Sequence, residues 1–156
     1  LDFAEDVTRE KAKKTDLKEM IKEIINSESI ENKIVKFNVK NDTPIFFECR
    51  AIAMKRCITN ILNNACSYGD DIRVTLEKKK DAIDISIEDN GPGIDKTDYD
   101  KAIKPFIRLD SSRNQNIPGS GLGLSISQDI TSNHGGKLIM SKSNLGGLKI
   151  QLKFSN

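Results

Sequence analysis

Apolar and polar residues alternate in several short stretches of the chain, and this alternation predicts strands. Isoleucine occupies every second position from 83 to 87 with polar residues between, which is typical of a strand with one buried face. Positions 72–76 alternate in the same way, and the basic turn at 78–80 between the two stretches predicts a hairpin with a solvated tip. Shorter alternations predict further strands, at 35–39, 45–48, 138–140 and 148–154.

Three other stretches have the period of a helix. Asp16, followed by Glu19, predicts a capped start for the first, which continues to about 26 with apolar residues on one face. The second extends from about 50 to 67, and the third follows the glycines near 120 and ends at about Asn133. Together with the strands, this pattern predicts an α/β fold, a two-layer sandwich of a mixed five- to six-stranded sheet and about three helices.

Charge and cysteine content exclude several classes of function. The 156 residues carry 25 basic and 23 acidic side chains, a net charge of +2, so no strong field favours nucleic acid or an anionic membrane. The three cysteines form no CxxC pair, which argues against a disulfide framework or a zinc site and suits a reducing cytoplasm. No apolar run approaches membrane-spanning length, so we expect no direct membrane contact by this chain.

The stretch Asp89–Ile94 combines a buried acceptor with a glycine-rich turn. Asp89 shares the parity of the isoleucines before it, so its carboxylate is expected on the apolar side of the strand. A charge there is costly, so either the pKa of Asp89 rises or a donor meets it. Gly91 and Gly93 bracket Pro92 and allow a ligand to approach the backbone. These features suit a flat ligand with an amine, such as adenine; the alternative is an ordinary Asn-Gly turn after a strand.

The second predicted helix carries three asparagines, although asparagine is a mediocre helix former. Asn60 and Asn64 lie four residues apart on one flank of the apolar stripe, and Tyr68 continues their row. One interpretation is a polar flank near the end of the helix, which the helix taken alone favours. The other is a row of amide oxygens facing a ligand, because such oxygens suit Mg²⁺ that keeps water and phosphate as further ligands.

Glycines precede the last predicted helix, in the stretch Gly119–Leu124. At a helix N-terminus, glycines let backbone N–H groups and the positive end of the dipole bind an anion such as phosphate. The stretch is not a Walker A loop, since no Lys-Ser/Thr pair follows, and a long loop rather than a strand precedes it. That loop, from 95 to 120, is long for a compact domain, and we interpret it as a mobile lid over a site. His134 is expected to cap the end of the helix.

Four motifs in this order resemble the boxes of the histidine-kinase ATPase family. The matching stretches are Asn60–Ala65 for the N box, Asp89–Ile94 for the first glycine box, Pro105–Asp110 for the F box of the ATP lid and Gly119–Ile126 for the second glycine box. The resemblance extends from about Thr15 to Phe154 and implies the Bergerat ATP-binding fold. Tyr68-Gly69 and the stretch Asn133–Gly136 are most similar to the osmosensor type within this family.

The resemblance implies a role for each matching position. Asp89 would accept the adenine amino group, Asn64 would coordinate Mg²⁺, and Asn60 would lie beside it. Tyr68 would lie near the phosphates or the adenine, on which Ile94 would pack. The other positions implied in ATP binding are Gly91, Gly93, Phe106, Arg108, Gly119, Ser120, Gly121, Leu122, Gly123 and Leu124.

The residues implied in catalysis are Asn60, Asn64 and Arg108. Ser67 departs from the family, which often has Lys or Arg at this position. A cation that faces the phosphates is therefore either missing or supplied by Arg108 or Arg113.

The same fold serves gyrase, Hsp90 and MutL-type ATPases, in which a glutamate four residues before the Mg²⁺-binding asparagine activates water. Asn60 stands at that position here, and a carboxamide is not a useful general base. The resemblance therefore implies a histidine kinase that binds Mg·ATP and transfers the γ-phosphoryl group to a histidine. The alternatives are a serine kinase of the anti-sigma-factor type and a degenerate nucleotide-binding module that only docks partners.

The acceptor histidine is absent from the sequence. His134 is the single histidine, and it lacks the acidic residue and the proline that follow a phosphoacceptor. We therefore expect residues 1–14 to be a linker or the end of a dimerisation and phosphoacceptor helix, and residues 15–156 to be the catalytic domain. The expected partners are that dimerisation domain and a response-regulator receiver domain, with no nucleic acid. The chain begins at Leu1, and we expect a cytoplasmic piece of a longer homodimeric sensor in the inner membrane, inactive in autophosphorylation by itself.

Overall fold

The structure is a computed structural model that describes residues 10–28, 30, 32–41, 43–104 and 123–155. The strands within these ranges are β1 (Lys13–Asp16), β2 (Ile34–Val39), β3 (Phe46–Cys49), β4 (Asp71–Lys78), β5 (Ala82–Asp89), β6 (Lys137–Lys142) and β7 (Leu148–Ser155). The helices are α1 (Leu17–Ser27), α2 (Ala51–Tyr68), the single turn α3 (Tyr99–Ala102) after a 3-10 turn (Lys96–Asp98), and α4 (Gly123–Asn133). None of these helices is long and apolar enough to cross a membrane.

The main sheet has five strands in the order β2-β4-β5-β7-β6. β2 pairs with β4 in parallel, and the other neighbours are antiparallel, so the sheet is mixed as predicted. The side chains on one face of this sheet form a single core with the apolar faces of α1, α2 and α4. The α/β two-layer fold is therefore confirmed, and the hairpin of β4 and β5 lies where the alternation predicted it.

The first helix begins where the sequence predicts. Asp16 is its N-cap, and its side chain accepts a hydrogen bond from the backbone N–H of Glu19 at 3.1 Å. This bond satisfies one of the free N–H groups of the first turn. The apolar face of the helix is buried against the sheet through Leu17, Met20, Ile21 and Ile24.

Strand β5 is buried on both faces, whereas the alternation predicted one buried face. Its polar residues Asp84, Ser86 and Glu88 are no more than 9% exposed. Because β5 lies at the centre of the sheet, long side chains of β4 and β7 flank these residues from both sides. The prediction of a half-buried strand is wrong for this reason: sequence alternation identifies the faces of a strand but not its place in the sheet.

Strand β1 lies in a part of the chain for which no strand was predicted. It pairs antiparallel with β3, and the two strands form a small separate sheet. Lys13 and Lys14 belong to the segment expected to be a linker or the end of a helix, and both are paired in β1, opposite Cys49 and Glu48. The alternation of such a short and charged strand is too weak to indicate pairing.

Candidate functional site

Asp89 ends the central strand β5 with its side chain on the helix-covered face, and it is 3% exposed. Its Oδ1 accepts hydrogen bonds from the backbone N–H of Gly91 at 2.9 Å and of Leu148 at 3.3 Å. Burial raises the pKa of this carboxyl above its ordinary value, while the two backbone donors oppose the rise and the charge of Glu88 adds to it. Both outcomes foreseen from the sequence, a raised pKa and a donor, are therefore present.

Glycines surround the carboxylate of Asp89. A Cβ on Gly91 would lie 2.5 Å from the carbonyl oxygen of Tyr68, and a Cβ on Gly147 would collide with Oδ1 of Asp89. A Cβ on Gly69 would lie 3.0 Å from the Cβ of Asp89. Side-chain-free backbone from three separate loops therefore encloses one buried acceptor, and we refer to this arrangement as the cradle.

Asn90 fixes the turn between α2 and β4 to the end of β5. Its Oδ1 accepts hydrogen bonds from the backbone N–H of Asp70 at 2.9 Å and of Asp71 at 3.1 Å. Its Nδ2 donates to Oδ1 of Asp70 at 2.9 Å. The three bonds hold the C-terminal end of α2 against the residue next to Asp89. We refer to them as the Asn90 clamp.

The asparagine row of α2 leads from this cradle to the start of α4. Nδ2 of Asn60 lies 3.5 Å from the carbonyl oxygen of Gly123, and both Asn60 and Asn64 are half-buried beside the apolar stripe. Helix α2 therefore connects the cradle around Asp89, at its C-terminal end, with the first residue of α4. The amide oxygens that could face a metal lie between the two.

Ser67, which stands where the resembling family often has Lys or Arg, forms a hydrogen bond within its own helix. Its Oγ donates to the carbonyl oxygen of Asn63 at 2.9 Å, one helical turn earlier. Within the part of the chain that the structure describes, no group of three or more His, Cys, Asp or Glu side chains could hold a metal ion.

Nine of the predicted site residues lie in the described ranges, and the structure groups seven of them in two places. Asp89, Gly91 and Tyr68 meet at the cradle, where Gly93 approaches Gly147 with a positive φ of 70°. Asn60 meets Gly123, and Leu124 beside it is buried. Asn64 lies on the same helix, and Ile94 packs against the core. The predictions for Phe106, Arg108, Gly119, Ser120, Gly121 and Leu122, and for the lid beyond Lys104, fall outside the described residues.

Sequence reasoning missed Gly147, Leu148 and Asn90. Gly147 lies in the turn between the last two strands, and its N–H donates to the carbonyl oxygen of Asp89 at 3.0 Å. The signal was the second of two adjacent glycines. Gly146 has a φ of 111°, so the conformation of the turn accounts for a glycine at this position, and nothing approaches its Cβ position. The second glycine needed another reason, which is the crowding against Asp89.

His134 has the capping role that the sequence predicts. Its Nε2 accepts a hydrogen bond from the backbone N–H of Arg50 at 3.1 Å, so the proton of the neutral ring lies on Nδ1. Nδ1 then donates to the carbonyl oxygen of Ile130 at 2.8 Å, in the last turn of α4. Both ring nitrogens are engaged, and the side chain joins the end of α4 to the start of α2.

Comparison with known proteins places most of the chain in one family. The family described as "Histidine kinase-, DNA gyrase B-, and HSP90-like ATPase" matches residues 49–156. The sensor histidine kinase GtrS of Pseudomonas aeruginosa is 38% identical over 104 residues, which are 67% of this chain and 21% of that protein. The chain thus spans about a fifth of the length of this curated relative.

Solved structures share the fold. The mycobacterial sensor histidine kinase MprB superposes with a TM-score of 0.79 at 23% identity, and the match covers 92% of this chain and 97% of that one. The histidine kinase domain of the Escherichia coli osmosensor EnvZ superposes with a TM-score of 0.67 at 30% identity, over 93% and 88% of the two chains.

Proposed function

The chain belongs to the histidine kinase-, DNA gyrase B- and HSP90-like ATPase family as the ATP-binding domain of a sensor histidine kinase, and from this premise we propose that it binds Mg·ATP and supplies the γ-phosphoryl group to a histidine outside this sequence. The observation that carries the proposal is the buried carboxylate of Asp89 inside a cradle of glycine backbone. A buried carboxylate is costly unless it is paired, and one acceptor among convergent polar groups is typical of a ligand site.

Asp89 recognises the adenine amino group in this proposal. Gly91 and Leu148 direct their N–H groups at Oδ1, which holds the carboxylate in one orientation and leaves Oδ2 as the acceptor toward the ligand. Guanine presents a carbonyl oxygen at the corresponding position, so the same carboxylate would repel it. Ile94 and the backbone of Gly91 and Gly93 would line the faces of the purine.

Asn64 is the proposed magnesium ligand, through its amide oxygen. Bound magnesium supplies charge neutralisation on the transferred phosphoryl group. Asn60 lies one turn earlier and contacts the start of α4, so it orders the flank that faces the phosphates. Since neither amide accepts a proton, these residues hold and orient ATP without activating water, which suits transfer to another group rather than hydrolysis. Tyr68, Gly123 and Leu124, with the lid residues Phe106 and Arg108 and the glycine box 119–122, complete the proposed ATP-binding set.

The proposed acceptor is a histidine on a dimerisation and phosphoacceptor domain. His134 does not suit this role, because both its ring nitrogens are engaged between two helices. The phosphorylated histidine would then pass its group to an aspartate of a response-regulator receiver domain. The whole protein is proposed to be a homodimeric inner-membrane sensor, with this chain as its cytoplasmic catalytic domain.

Two other functions would use the same fold. A serine kinase of the anti-sigma-factor type would need a serine acceptor on a partner, and the sensor kinases that resemble this chain do not favour it. A module that only docks partners would not need to keep a buried carboxylate in a glycine cradle, since that arrangement is costly without a ligand.

Calorimetric titration with a non-hydrolysable ATP analogue, with and without Mg²⁺, tests the proposal. The wild-type chain is expected to bind the analogue in the micromolar range and to prefer it over the guanine equivalent, whereas Asn64→Ala loses the gain that Mg²⁺ provides. A chain that binds neither nucleotide contradicts the proposal. Addition of the matching dimerisation domain in trans then tests transfer, and label on His134 in the isolated chain would contradict the assignment of the acceptor.

A further inference from the structure

Helix α2, which we propose holds the nucleotide, lacks a local N-terminal cap. The position before it is Arg50, whose side chain makes no capping hydrogen bond, and the first turn contains no acidic residue. A helix start leaves free N–H groups that need acceptors, and Ser, Thr, Asp or Asn usually provides one at the position of Arg50.

Glu10 provides the missing acceptors from 42 residues away in the sequence. Its Oε2 accepts a hydrogen bond from the backbone N–H of Ile52 at 2.6 Å, and its Oε1 accepts from the N–H of Ala53 at 3.1 Å. These are the second and third residues of α2, the two positions at which a capping side chain binds. The negative carboxylate also lies at the positive end of the helix dipole.

Arg50 and β1 hold Glu10 in place. Nε of Arg50 donates to the backbone carbonyl oxygen of Glu10 at 3.1 Å. Strand β1, which follows Glu10 closely in the sequence, is paired with β3 as far as Asp16 and anchors the segment from the other side. The backbone N–H of Arg50 is bound to His134 at the end of α4. Residues 10–16, which we call the N-terminal strap, are therefore attached to the start of α2, and Arg50 in turn joins that start to the end of α4.

We propose that the Glu10 side chain caps the N-terminus of α2 in place of a side chain at position 50, and that the N-terminal strap thereby couples any segment that precedes the domain to the helix that carries Asn60 and Asn64. A displacement of the strap removes both acceptors from α2 and frees Arg50, which also holds His134. The inference rests on the proposed function only in naming α2 as the nucleotide-binding helix. It places the start of the domain at or before Glu10 rather than at Thr15.

Amide hydrogen exchange and amide chemical shifts of the full chain, measured by NMR without nucleotide, test both parts. Glu10→Ala is expected to speed the exchange of the Ile52 and Ala53 amides about tenfold, the size of a lost helix cap. It is also expected to shift the amide signals of Asn60, Asn64 and Gly123. Glu10→Gln retains one acceptor oxygen and should give a smaller change.

Glu23→Ala is the matched control, because Glu23 is exposed on α1 and its loss changes the net charge equally. Arg50→Ser in the Glu10→Ala background restores a local cap and should return exchange at Ile52 and Ala53 to within about twofold of wild type. Equal exchange in the Glu10 and Glu23 variants, or no rescue by Arg50→Ser, would overturn the cap. Unmoved signals at Asn60 and Asn64 would overturn the coupling. Neither readout depends on ATP, so failure of the proposed function is detected separately.

Discussion

Gly147 packs directly on the carboxylate of Asp89, and no side chain can be added there without moving one of the two. The position that a Cβ would take also lies 2.7 Å from the carbonyl oxygen of Asp89 and 2.7 Å from the nitrogen of Gly91. The turn between β6 and β7 therefore forms one wall of the cradle at the end of β5. The acceptor and its enclosure come from stretches of the chain almost 60 residues apart.

The substitution Gly147→Ala is expected to lower the free energy of unfolding by about 3 kcal/mol, because the added methyl overpacks a site closed by backbone. Asp89 should leave its orientation, and binding of the ATP analogue should be lost. Gly146→Ala is the matched control: its Cβ has open space and only the strained φ of 111°, so about 1 kcal/mol is expected with binding retained. Chemical denaturation and calorimetry measure both quantities. Equal effects of the two variants would contradict the contact.

Asp89→Asn separates recognition from stability. The side-chain oxygen of asparagine can still accept from Gly91 and Leu148, so the fold should be retained. The amide NH₂ would then face the amino group of adenine, and affinity for the analogue should fall about 10- to 100-fold. Glu88→Gln is the control, since Glu88 is also buried, at 9% exposure, but accepts from Ser143 on the opposite face. If that variant loses the same affinity, the effect is not specific to the cradle.

The raised pKa of Asp89 predicts a pH dependence of stability with a definite sign. Burial makes the folded protein bind this proton more tightly than the unfolded chain does. The wild type therefore loses stability as the pH rises from the ordinary pKa of an aspartate to the raised pKa of Asp89, and the loss is constant above that. Asp89→Asn lacks this titration, so its stability relative to wild type should increase across the same window. Urea denaturation of both proteins at a series of pH values measures this difference in stability. A decrease in the relative stability of Asp89→Asn as the pH rises would contradict a raised pKa of Asp89.

The Asn90 clamp can be tested by exchanging its two side chains. Asn90→Asp places a carboxylate against Asp70 and removes the Nδ2 donor, which should cost about 1 kcal/mol of stability and weaken nucleotide binding. Asp70→Asn with Asn90→Asp reverses donor and acceptor at unchanged net charge, so both losses should be recovered. Thermal unfolding and calorimetry of the wild type, the two single variants and the double variant give the coupling energy between the two side chains. Additive effects in the double variant would show that the bond between the two side chains is unimportant.

Local patterns predicted the elements that form from their own residues. Asp16 and Glu19 indicated the start of α1, and the parity of Asp89 in β5 indicated its buried side chain, because a side chain's face on a strand follows from its position alone. The glycine turn after Asp89 and the row of Asn60 and Asn64 likewise lie within one short stretch each. These features account for the part of the site that the sequence predicted.

Contacts between distant stretches were not predictable in this way. Glu10 caps α2 although nothing near Arg50 indicates an acceptor, and Gly147 closes the cradle from another hairpin. Both depend on which backbone segments the fold brings together, and the sequence contains no periodicity that reports this. The prediction that only one face of β5 is buried was wrong for the same reason, since the order of strands in a sheet is a tertiary property.

The position of β7 has a consequence for how the domain is made. This strand contains residues 148–155, yet it lies inside the sheet between β5 and β6, and Leu148 supplies a donor to Asp89. During synthesis on the ribosome, β5 emerges with one edge unpaired and must wait for more than 50 further residues. An open apolar strand edge is a target for aggregation and for chaperones. The surroundings of Asp89 are therefore complete only after β7 has emerged, so a nascent chain cut short before Leu148 contains Asp89 and Gly91 but lacks the donor from Leu148 and the neighbouring strand β7.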